Sequence, residues 1–388
     1  MPARIREVKN MSLGSSAPEL VREFLDRAAA AWATDVHFEP GADGLNVLFR
    51  LDGLLHPVES LPLAVRDSVI ARLKVLGNLL TYRTDVPQEG RISTDHEFGC
   101  LVTDRRISVF PTIYGERAVV RFFYQTPETS QLDQLGFPPA VLSELQKLAD
   151  TNQGVVLVTG PAGSGKTTTL YALIRLIRRT HPGKSIISLE DPVEQRIDGI
   201  TQTEIGGSLT FPLALRSVLR QDPEVLMVGE IRDAETAQIA VQAGLTGHLV
   251  LTTVHSSSPV ATLIRLLEMG IEPYQLTSSI VAALNQRLLR TLCQACGGSG
   301  KQDDATDEAC KHCLGTGFRG RSAVAEIITM DGQLRQAVLD KSDQSSLEEI
   351  LRQRGHLTIR QAARQLVADH RTTEDEILRV CGSTEPAG

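Results

Sequence analysis

The sequence predicts an α/β protein whose main domain contains a parallel sheet and a four-cysteine module, with a smaller α+β domain before it. After Gly154, apolar β-rich runs alternate with helical stripes, which is typical of a parallel sheet covered on both faces. Before residue 124, helical stripes and short extended runs are mixed without that regular alternation. Two Cys-x-x-Cys pairs lie near residue 300.

Length and composition indicate an ordinary globular protein. The chain has 388 residues, of which 41% are hydrophobic and 22% charged, and this length predicts two or three domains. The net charge of −7 argues against nucleic acid as the main partner, because such proteins usually carry a basic bias. No apolar run approaches the roughly 20 residues of a membrane span, and residues 1–16 lack a signal-peptide core. We therefore expect a cytoplasmic protein that reaches a membrane only through partners.

The first part of the chain is predicted to form a small α+β domain over residues 17–124, after a flexible segment at 1–16. Within residues 18–32 the apolar side chains fall on one helical face. The segments that follow show strand patterns separated by Gly-containing turns. The predicted elements are a helix at 18–32, strands at 35–40 and 45–51, a helix at 64–80, and strands at 106–111 and 118–123. The polar segment 125–134 is predicted to be a linker.

The second part, residues 135–388, is predicted to form the main domain. A helix is expected to open at Pro139, since Pro suits the first helical turn. Four strands are predicted at 155–159, 185–189, 225–228 and 248–254. The cysteine module is placed at 293–321 inside this domain, and C-terminal helices are placed at 331–380.

A phosphate-binding loop is predicted at residues 160–167. The segment reads Gly-Pro-Ala-Gly-Ser-Gly-Lys-Thr and lies between an apolar strand and a helix, which matches G-x-x-x-x-G-K-[ST] in its expected context. Glycines let backbone N–H groups surround the phosphates, and the helix N-terminus favours anions. Lys166 is expected to reach the β- and γ-phosphates, and the Thr167 hydroxyl to ligate Mg²⁺.

Acidic residues and histidines flank the neighbouring strands. One strand ends in Glu190 and Asp191, with Glu194 just beyond, and another leads to Glu230 with Gly229 where an Asp is usual. Because ligands of open α/β sheets bind outside the carboxyl ends of strands, these acids are expected near the phosphates. His248 and His255 flank a fourth strand. Each is either a structural hydrogen bonder or a sensor of the γ-phosphate.

The four clustered cysteines predict a structural zinc site. Cys293 and Cys296 form one pair, and Cys310 and Cys313 form the other. Four thiolates at this spacing leave no open coordination position. Redox-active thiols are the alternative, which two matched pairs disfavour. Cys100 and Cys381 are interpreted as packing or surface residues.

These motifs resemble the ATPases of type II secretion and type IV pilus assembly. The resemblance rests on residues 160–167, 189–194, 220–233 and 246–255, and it covers about residues 19–380. It implies a homo-hexameric ring of subunits with a PAS-like N-terminal domain and a RecA-like P-loop motor domain, driving assembly of pilin-like subunits. It further implies an inner-membrane platform protein as partner. Longer members carry an additional N-terminal docking domain, so a chain starting near the PAS-like domain is expected to contact its platform differently.

The resemblance also implies roles for individual residues. Arg91, Arg106 and Arg121 stand where the family places arginines that reach the triphosphate, consistent with guanidinium chemistry. Glu190 corresponds to the general base and Glu230 to an acid near Mg²⁺, although these two roles can be exchanged. The four-cysteine module is more common in the export branch than in the retraction branch. The expected catalytic residues are Lys166, Glu190, Glu230, Arg91, Arg106, Arg121 and His255. The expected nucleotide contacts are Gly160, Pro161, Ala162, Gly163, Ser164, Gly165, Lys166, Thr167, Thr168, Asp191, Glu194 and His248.

Two other functions are compatible with a P-loop domain. A DNA-uptake or conjugation ATPase would need basic and aromatic surface for direct DNA contact, whereas aromatic residues are only 4% of this chain. A catalytically silent regulatory subunit would bind ATP without turnover. The presence of Lys166, Thr167, Glu190 and Glu230 argues against that second alternative. The expected cofactors are therefore ATP, Mg²⁺ and Zn²⁺, with no direct nucleic acid partner.

Overall fold

A computed structural model describes residues 16–92, 102–124, 131–303 and 306–382. The chain divides into two compact units. The first comprises Met1–Thr129 and Leu292–Gly320, and the second comprises Ser130–Thr291 and Arg321–Gly388. The main division falls within the predicted linker. The predicted flexible segment at 1–16, except Ser16, and Cys100 lie outside the described residues.

The first unit contains an antiparallel sheet and two helices. Its main elements are α1 (Ala17–Ala30), β1 (Asp35–Pro40), β2 (Gly44–Leu51), β3 (Leu54–Pro62), α2 (Leu63–Leu76), β4 (Gln88–Ile92), β5 (Val102–Thr112) and β6 (Gly115–Tyr124). The six strands are ordered β3-β2-β1-β6-β5-β4. Every pairing between neighbours is antiparallel. The predicted α+β class of this region is confirmed.

The first unit's core forms because apolar residues recur at the period of each element. In α1 the predicted stripe is buried, including Leu20, Phe24 and Ala28. Alternate residues of β1, such as Val36 and Phe38, are fully buried in the same cluster. Fully burying a side chain of this size contributes roughly 1.5–3 kcal/mol. The opposite face of the sheet is therefore left available for polar residues.

The second unit contains a larger sheet flanked by helices. Its strands are β7 (Gly154–Thr159), β8 (Ile186–Glu190), β9 (Thr201–Glu204), β10 (Val225–Val228), β11 (Leu249–Val254), β12 (Ile280–Leu292) and β15 (Phe318–Thr329). They are ordered β15-β12-β7-β11-β10-β8-β9. All pairings from β12 to β9 are parallel. The helices are α3 (Pro139–Ala149), α4 (Lys166–Thr180), α5 (Phe211–Val218), α6 (Ala234–Leu245), α7 (Pro259–Glu268), α8 (Pro273–Ser279), α9 (Gly332–Leu339), α10 (Gln344–Gln353), α11 (Ile359–Ala368) and α12 (Glu374–Cys381).

Helices cover both faces of this sheet, as predicted. Successive strand residues point to opposite faces, so Val155 and Leu157 of β7 join one core cluster while Val156 and Val158 join another. The first cluster includes apolar residues of α5 to α10, and the second those of α3 and α4. Since the parallel strands all end at one edge, the loops after them lie together there.

The cysteine segment differs from its predicted place in the main domain. Residues Leu292–Gly320 belong to the first compact unit, and contain the short strands β13 (Lys301–Asp303) and β14 (Thr306–Ala309). Leu314 packs against the first unit's core, and the Gly320 N–H donates to Asp52 Oδ2 at 2.9 Å. The long strands β12 and β15 explain the difference, because they carry the chain out of the second unit and back.

The predicted C-terminal helices are present as α9 to α12, which end at Cys381. In the described part of the chain, no helix combines the length and the apolar character that a membrane span requires.

Candidate functional site

The loop between β7 and α4 has the backbone of a phosphate cradle. The φ values of Gly160, Gly163 and Gly165 are +144°, +73° and +86°, which residues other than glycine rarely adopt. A Cβ on Gly160 would lie 2.5 Å from the Gln286 carbonyl oxygen. Glycine at position 160 is therefore required by both backbone conformation and close packing.

Lys166 is held inside this loop. Its Nζ donates to the carbonyls of Gly160 at 2.9 Å and Pro161 at 3.0 Å, and the side chain is largely buried. Burial lowers the pKa of Lys166, while the Glu230 charge opposes that shift and the Arg287 charge adds to it. Glu230 follows β10, which is separated from β7 by β11 in the sheet. An incoming phosphate could replace the two carbonyls as the partner of the ammonium.

The remaining loop residues lie around this ammonium. Ser164 is buried, Thr167 is half-buried in the first turn of α4, and Thr168 is exposed. Pro161, Ala162 and Gly163 are exposed on the loop. Free N–H groups at the start of α4 and the hydroxyl of Thr167 give the loop the donors and the oxygen ligand that a phosphate and its metal require.

Glu230 forms a charged cluster at the carboxyl edge of the sheet. It is ion-paired with Arg232, whose other nitrogen lies 3.8 Å from Asp191 Oδ2. The His255 Nε2 lies 3.5 Å from Glu230 Oε2. A hydrogen bond with Glu230 raises the pKa of Arg232 further. The structure therefore brings together Glu230, Asp191 and His255 as expected, and adds Arg232, which sequence reasoning missed although it lies two residues after Glu230.

Glu190 lies at the end of β8, buried and bound by three donors. The Tyr171 hydroxyl donates to one carboxylate oxygen, while Ser188 Oγ at 2.6 Å and Gln202 Nε2 at 3.0 Å donate to the other. Burial and then the Glu190 contact raise the pKa of Tyr171. Tyr171 and Gln202 were not predicted as site residues, because they come from α4 and β9 and meet Glu190 only in the fold.

Glu194 follows this strand in a surface loop. Although the residue is exposed overall, partial desolvation of its carboxyl and repulsion from Glu190 raise its pKa. The nearby Glu190 charge therefore disfavours the ionised form of Glu194.

His248 does not join the site. Its carbonyl accepts the N–H of Gly154 at 2.9 Å, at the beginning of β7, and its Nδ1 lies 3.0 Å from the Ala243 carbonyl. Six residues of β11 separate it from His255, which at about 3.3 Å per residue is roughly 20 Å. We therefore leave His248 out of the site as a structural hydrogen bonder.

In the first unit, the three predicted arginines form one row across the sheet. The strand registers place Arg91 opposite Arg106 and Arg106 opposite Arg121. Residues paired in this way share one face of a sheet. All three side chains are more than half exposed. The row is therefore a continuous cationic surface on the face opposite the two helices' core.

Two acids, buried Asp35 and half-buried Asp104, hold this arginine row. Asp104 Oδ1 lies 2.5 Å from Arg91 Nε, and its Oδ2 lies 3.7 Å from Arg106 Nε. Asp35 Oδ1 accepts from Arg121 at 2.9 Å. The Arg106 guanidinium also lies 5.0 Å from the Phe123 ring centroid. These contacts orient guanidinium groups whose outer nitrogens can still bind an anion.

The four clustered cysteines have the geometry of a metal site. The sulfurs of Cys293, Cys296, Cys310 and Cys313 all lie within 4.8 Å of one another. The distance between Cys296 and Cys313 is 3.7 Å, close to the edge of about 3.8 Å for a tetrahedron with Zn–S bonds of about 2.3 Å. Burial alone would raise the pKa of Cys296, but hydrogen bonds from the backbone of Gly300 and Gly298 outweigh it and lower the pKa to about 7. This donor set fits Zn²⁺ in a closed, structural site.

We expect the purified protein to contain about one zinc per chain. Cys310→Ser should lose most of that zinc and lower the melting temperature, because a structural metal stabilises the fold that binds it. Elemental analysis and thermal unfolding measure the two effects. Cys381→Ser is the matched control, since Cys381 lies on α12 outside the cluster. Folded, zinc-free wild-type protein would contradict the assignment.

The chain is similar in sequence to known secretion proteins. Residues 13–379 match the family model for type II/IV secretion system proteins. The chain is 36% identical over 384 residues to the type IV pilus assembly ATPase PilB of Thermus thermophilus, covering 94% of this chain and 43% of that protein. It is 40% identical over 372 residues to the type II secretion system protein HxcR of Pseudomonas aeruginosa, covering 95% of this chain and 78% of that protein.

Solved structures show a similar fold. A crystal structure of the pilus retraction motor PilT with bound ADP aligns with a TM-score of 0.63 and 24% identity, covering 94% of this chain and 97% of that one. The Legionella pneumophila ATPase DotB aligns with a TM-score of 0.70 and 21% identity, covering 96% of this chain and 98% of that one. The family model and the sequence relatives confirm the predicted family and the predicted class of enzyme, and the solved structures confirm the fold. The chain belongs to the family of type II/IV secretion system proteins, which includes the type IV pilus assembly ATPase PilB and the type II secretion system protein HxcR.

Proposed function

We propose that this chain hydrolyses Mg-ATP as the motor of a type II secretion or type IV pilus-assembly machine. One observation carries the proposal: the Lys166 ammonium is buried within a Gly-rich loop, where it donates to the carbonyls of Gly160 and Pro161. A buried cation inside a Gly-rich loop, with an acid at the carboxyl edge of a parallel sheet, is the chemistry that a nucleoside triphosphate requires.

Each residue of the site would have a distinct task. Backbone N–H groups of the loop and Lys166 would bind the β- and γ-phosphates. Thr167 and Glu230 offer the oxygen ligands that Mg²⁺ prefers, and the metal would neutralise charge that develops on the phosphates. Glu190 would orient and deprotonate the attacking water. Its two oxygens accept three hydrogen bonds, and a carboxylate can accept about four, so the water would take the remaining position.

The charged cluster around Glu230 supports a sensing role for His255. Its ring nitrogen lies 3.5 Å from the carboxylate. If Glu230 changed position on nucleotide binding, its contacts with His255 and Arg232 would therefore change as well. Asp191 and Glu194 would complete the acidic edge beside the metal.

We further propose that the second unit is a RecA-like motor domain, that the first is its PAS-like partner, and that six copies form a ring. The exposed row of Arg91, Arg106 and Arg121 would reach the triphosphate of a site completed in that ring. Fixed guanidinium groups stabilise charge on the transferring phosphoryl group. The motor would act through an inner-membrane platform protein at the cytoplasmic face, with pilin-like subunits as its indirect substrate.

Mixing two inactive variants tests the function and the shared site together. Wild-type protein should hydrolyse Mg-ATP and form a six-subunit assembly by mass, whereas Lys166→Ala and Arg106→Ala should each lose most turnover. If arginine and lysine come from different subunits, mixed rings should regain about a quarter of wild-type activity by random pairing.

Arg66→Ala serves as the control, since Arg66 lies on α2 outside the row. A stable wild-type monomer that binds ATP without turnover would contradict the motor. Wild-type turnover with no activity from mixed subunits would contradict the shared site alone.

A further inference from the structure

Gln286 connects the phosphate loop to the strand behind it. It lies on β12, which pairs in parallel with β7, and its side chain is fully buried. Its Nε2 donates to the Ser164 carbonyl at 2.6 Å. Its Oε1 accepts from Thr169 Oγ1, on α4, at 2.8 Å. One carboxamide therefore joins the loop and the helix that follows it.

The same residue explains why two loop positions need glycine. A Cβ on Gly160 would lie 2.5 Å from the Gln286 carbonyl oxygen, and one on Gly165 would lie 3.2 Å from Gln286 Nε2. The loop thus rests directly on the backbone and side chain of Gln286. By contrast, a Cβ on Gly163 would meet nothing within 4 Å.

Neighbouring residues fix Gln286 in place. Asn285 Nδ2 donates to the Ser257 carbonyl at 3.1 Å and to Glu326 Oε1 at 2.7 Å. Arg287 Nη1 donates to Asn285 Oδ1 at 2.6 Å. This part of β12 is therefore cross-linked to the segment after β11 and to β15. A side chain on such a rigid support holds its partners more precisely than one on a loop.

We propose that Gln286 is a positioning residue that holds the phosphate loop open in its anion-binding conformation. The carboxamide has one donor and one acceptor role here, and each role matches the group it meets. Occupying the Ser164 carbonyl turns it away from the cradle, which leaves the loop N–H groups facing the phosphates. The inference rests on the proposed nucleotide site and adds to it the residue that shapes the loop.

Gln286→Met tests the proposal with a side chain of similar size and no polar atoms. Losing hydrogen bonds worth about 1.4 kcal/mol corresponds to an about tenfold change in a dissociation constant. We expect the Kd for Mg-ADP and the KM for Mg-ATP to rise about tenfold, with kcat changing much less. Fluorescent-ADP titration and steady-state hydrolysis measure these constants. Gln336→Met, on the exposed face of α9, should leave both unchanged.

A second pair of variants separates the hydrogen bond from general packing. Thr169→Val removes the hydroxyl that donates to Gln286 and should raise the KM for Mg-ATP about threefold. Thr169→Ser keeps the hydroxyl, so its KM should stay near that of the wild type. Equal impairment in both Thr169 variants would overturn the proposal. So would a fall in kcat alone for Gln286→Met, or no change at all. Wild-type protein that binds no ADP would instead overturn the nucleotide site itself.

Discussion

Lys166→Ala should reduce kcat for Mg-ATP hydrolysis by about 10³-fold, because removing one preorganised charge at a developing transition state costs about 10²–10³ or more. The ammonium already lies inside the loop, bound to the carbonyls of Gly160 and Pro161. Its removal takes away the cation that the proposed site offers to the β- and γ-phosphates. Steady-state hydrolysis and ADP titration measure the losses of turnover and of affinity.

Lys147→Ala is the control for that variant. Lys147 is an exposed lysine of α3 paired with Glu144, and exposed pairs contribute little. Its turnover and melting temperature should equal those of the wild type. Full activity in Lys166→Ala would exclude this loop as the phosphate site.

Glu230→Gln should retain nucleotide binding and lose about 10²–10³-fold in kcat. The substitution keeps the size of the side chain and removes the charge that faces Lys166, Arg232 and His255. Phosphate binding should be kept, since the loop donors remain. Binding titrations beside single-turnover hydrolysis separate the two effects.

Glu190→Gln is the matched comparison for Glu230→Gln. If Glu190 is the base, its variant should lose turnover while Mg²⁺ affinity stays near wild type, whereas Glu230→Gln should also weaken Mg²⁺ binding. The opposite pattern would exchange the two roles. Loss of nucleotide binding in Glu230→Gln would show that this acid shapes the loop rather than the chemistry.

The strands that sequence reasoning missed lie mainly at sheet edges. β3 contains Pro57 and β4 contains Gly90, and these two strands form the ends of the six-stranded sheet. Likewise β9 and β15 are the edges of the seven-stranded sheet. Edge strands tolerate Pro, Gly and polar residues because one side of the ladder is unpaired. Their sequences therefore carry weak strand patterns, unlike the apolar central strands β7, β10 and β11.

In the candidate site, too, residues that are close in sequence were predictable, whereas contacts between distant residues were not. The loop at 160–167 and the cysteine pairs were predictable because their residues are close in sequence and their spacing reflects local geometry. Gln286 was missed because it lies 122 residues from Ser164, on a strand whose polar residues carry no motif. His248 and His255 looked equivalent in sequence, and only strand direction separated them.

The sequence alone determined the class of fold, the family, the Gly-rich loop at 160–167 and the cluster of four cysteines, since each depends on periodicity or short spacing. Tertiary structure decided which distant side chains meet. Parallel pairing put Glu190 and Glu230 at one edge of the sheet, and antiparallel register aligned Arg91, Arg106 and Arg121 in one row. It also supplied the buried residues Tyr171 and Gln286 and the half-buried Gln202 as partners. The physical reason is that hydrogen bonds between elements depend on register and packing, which no local pattern encodes.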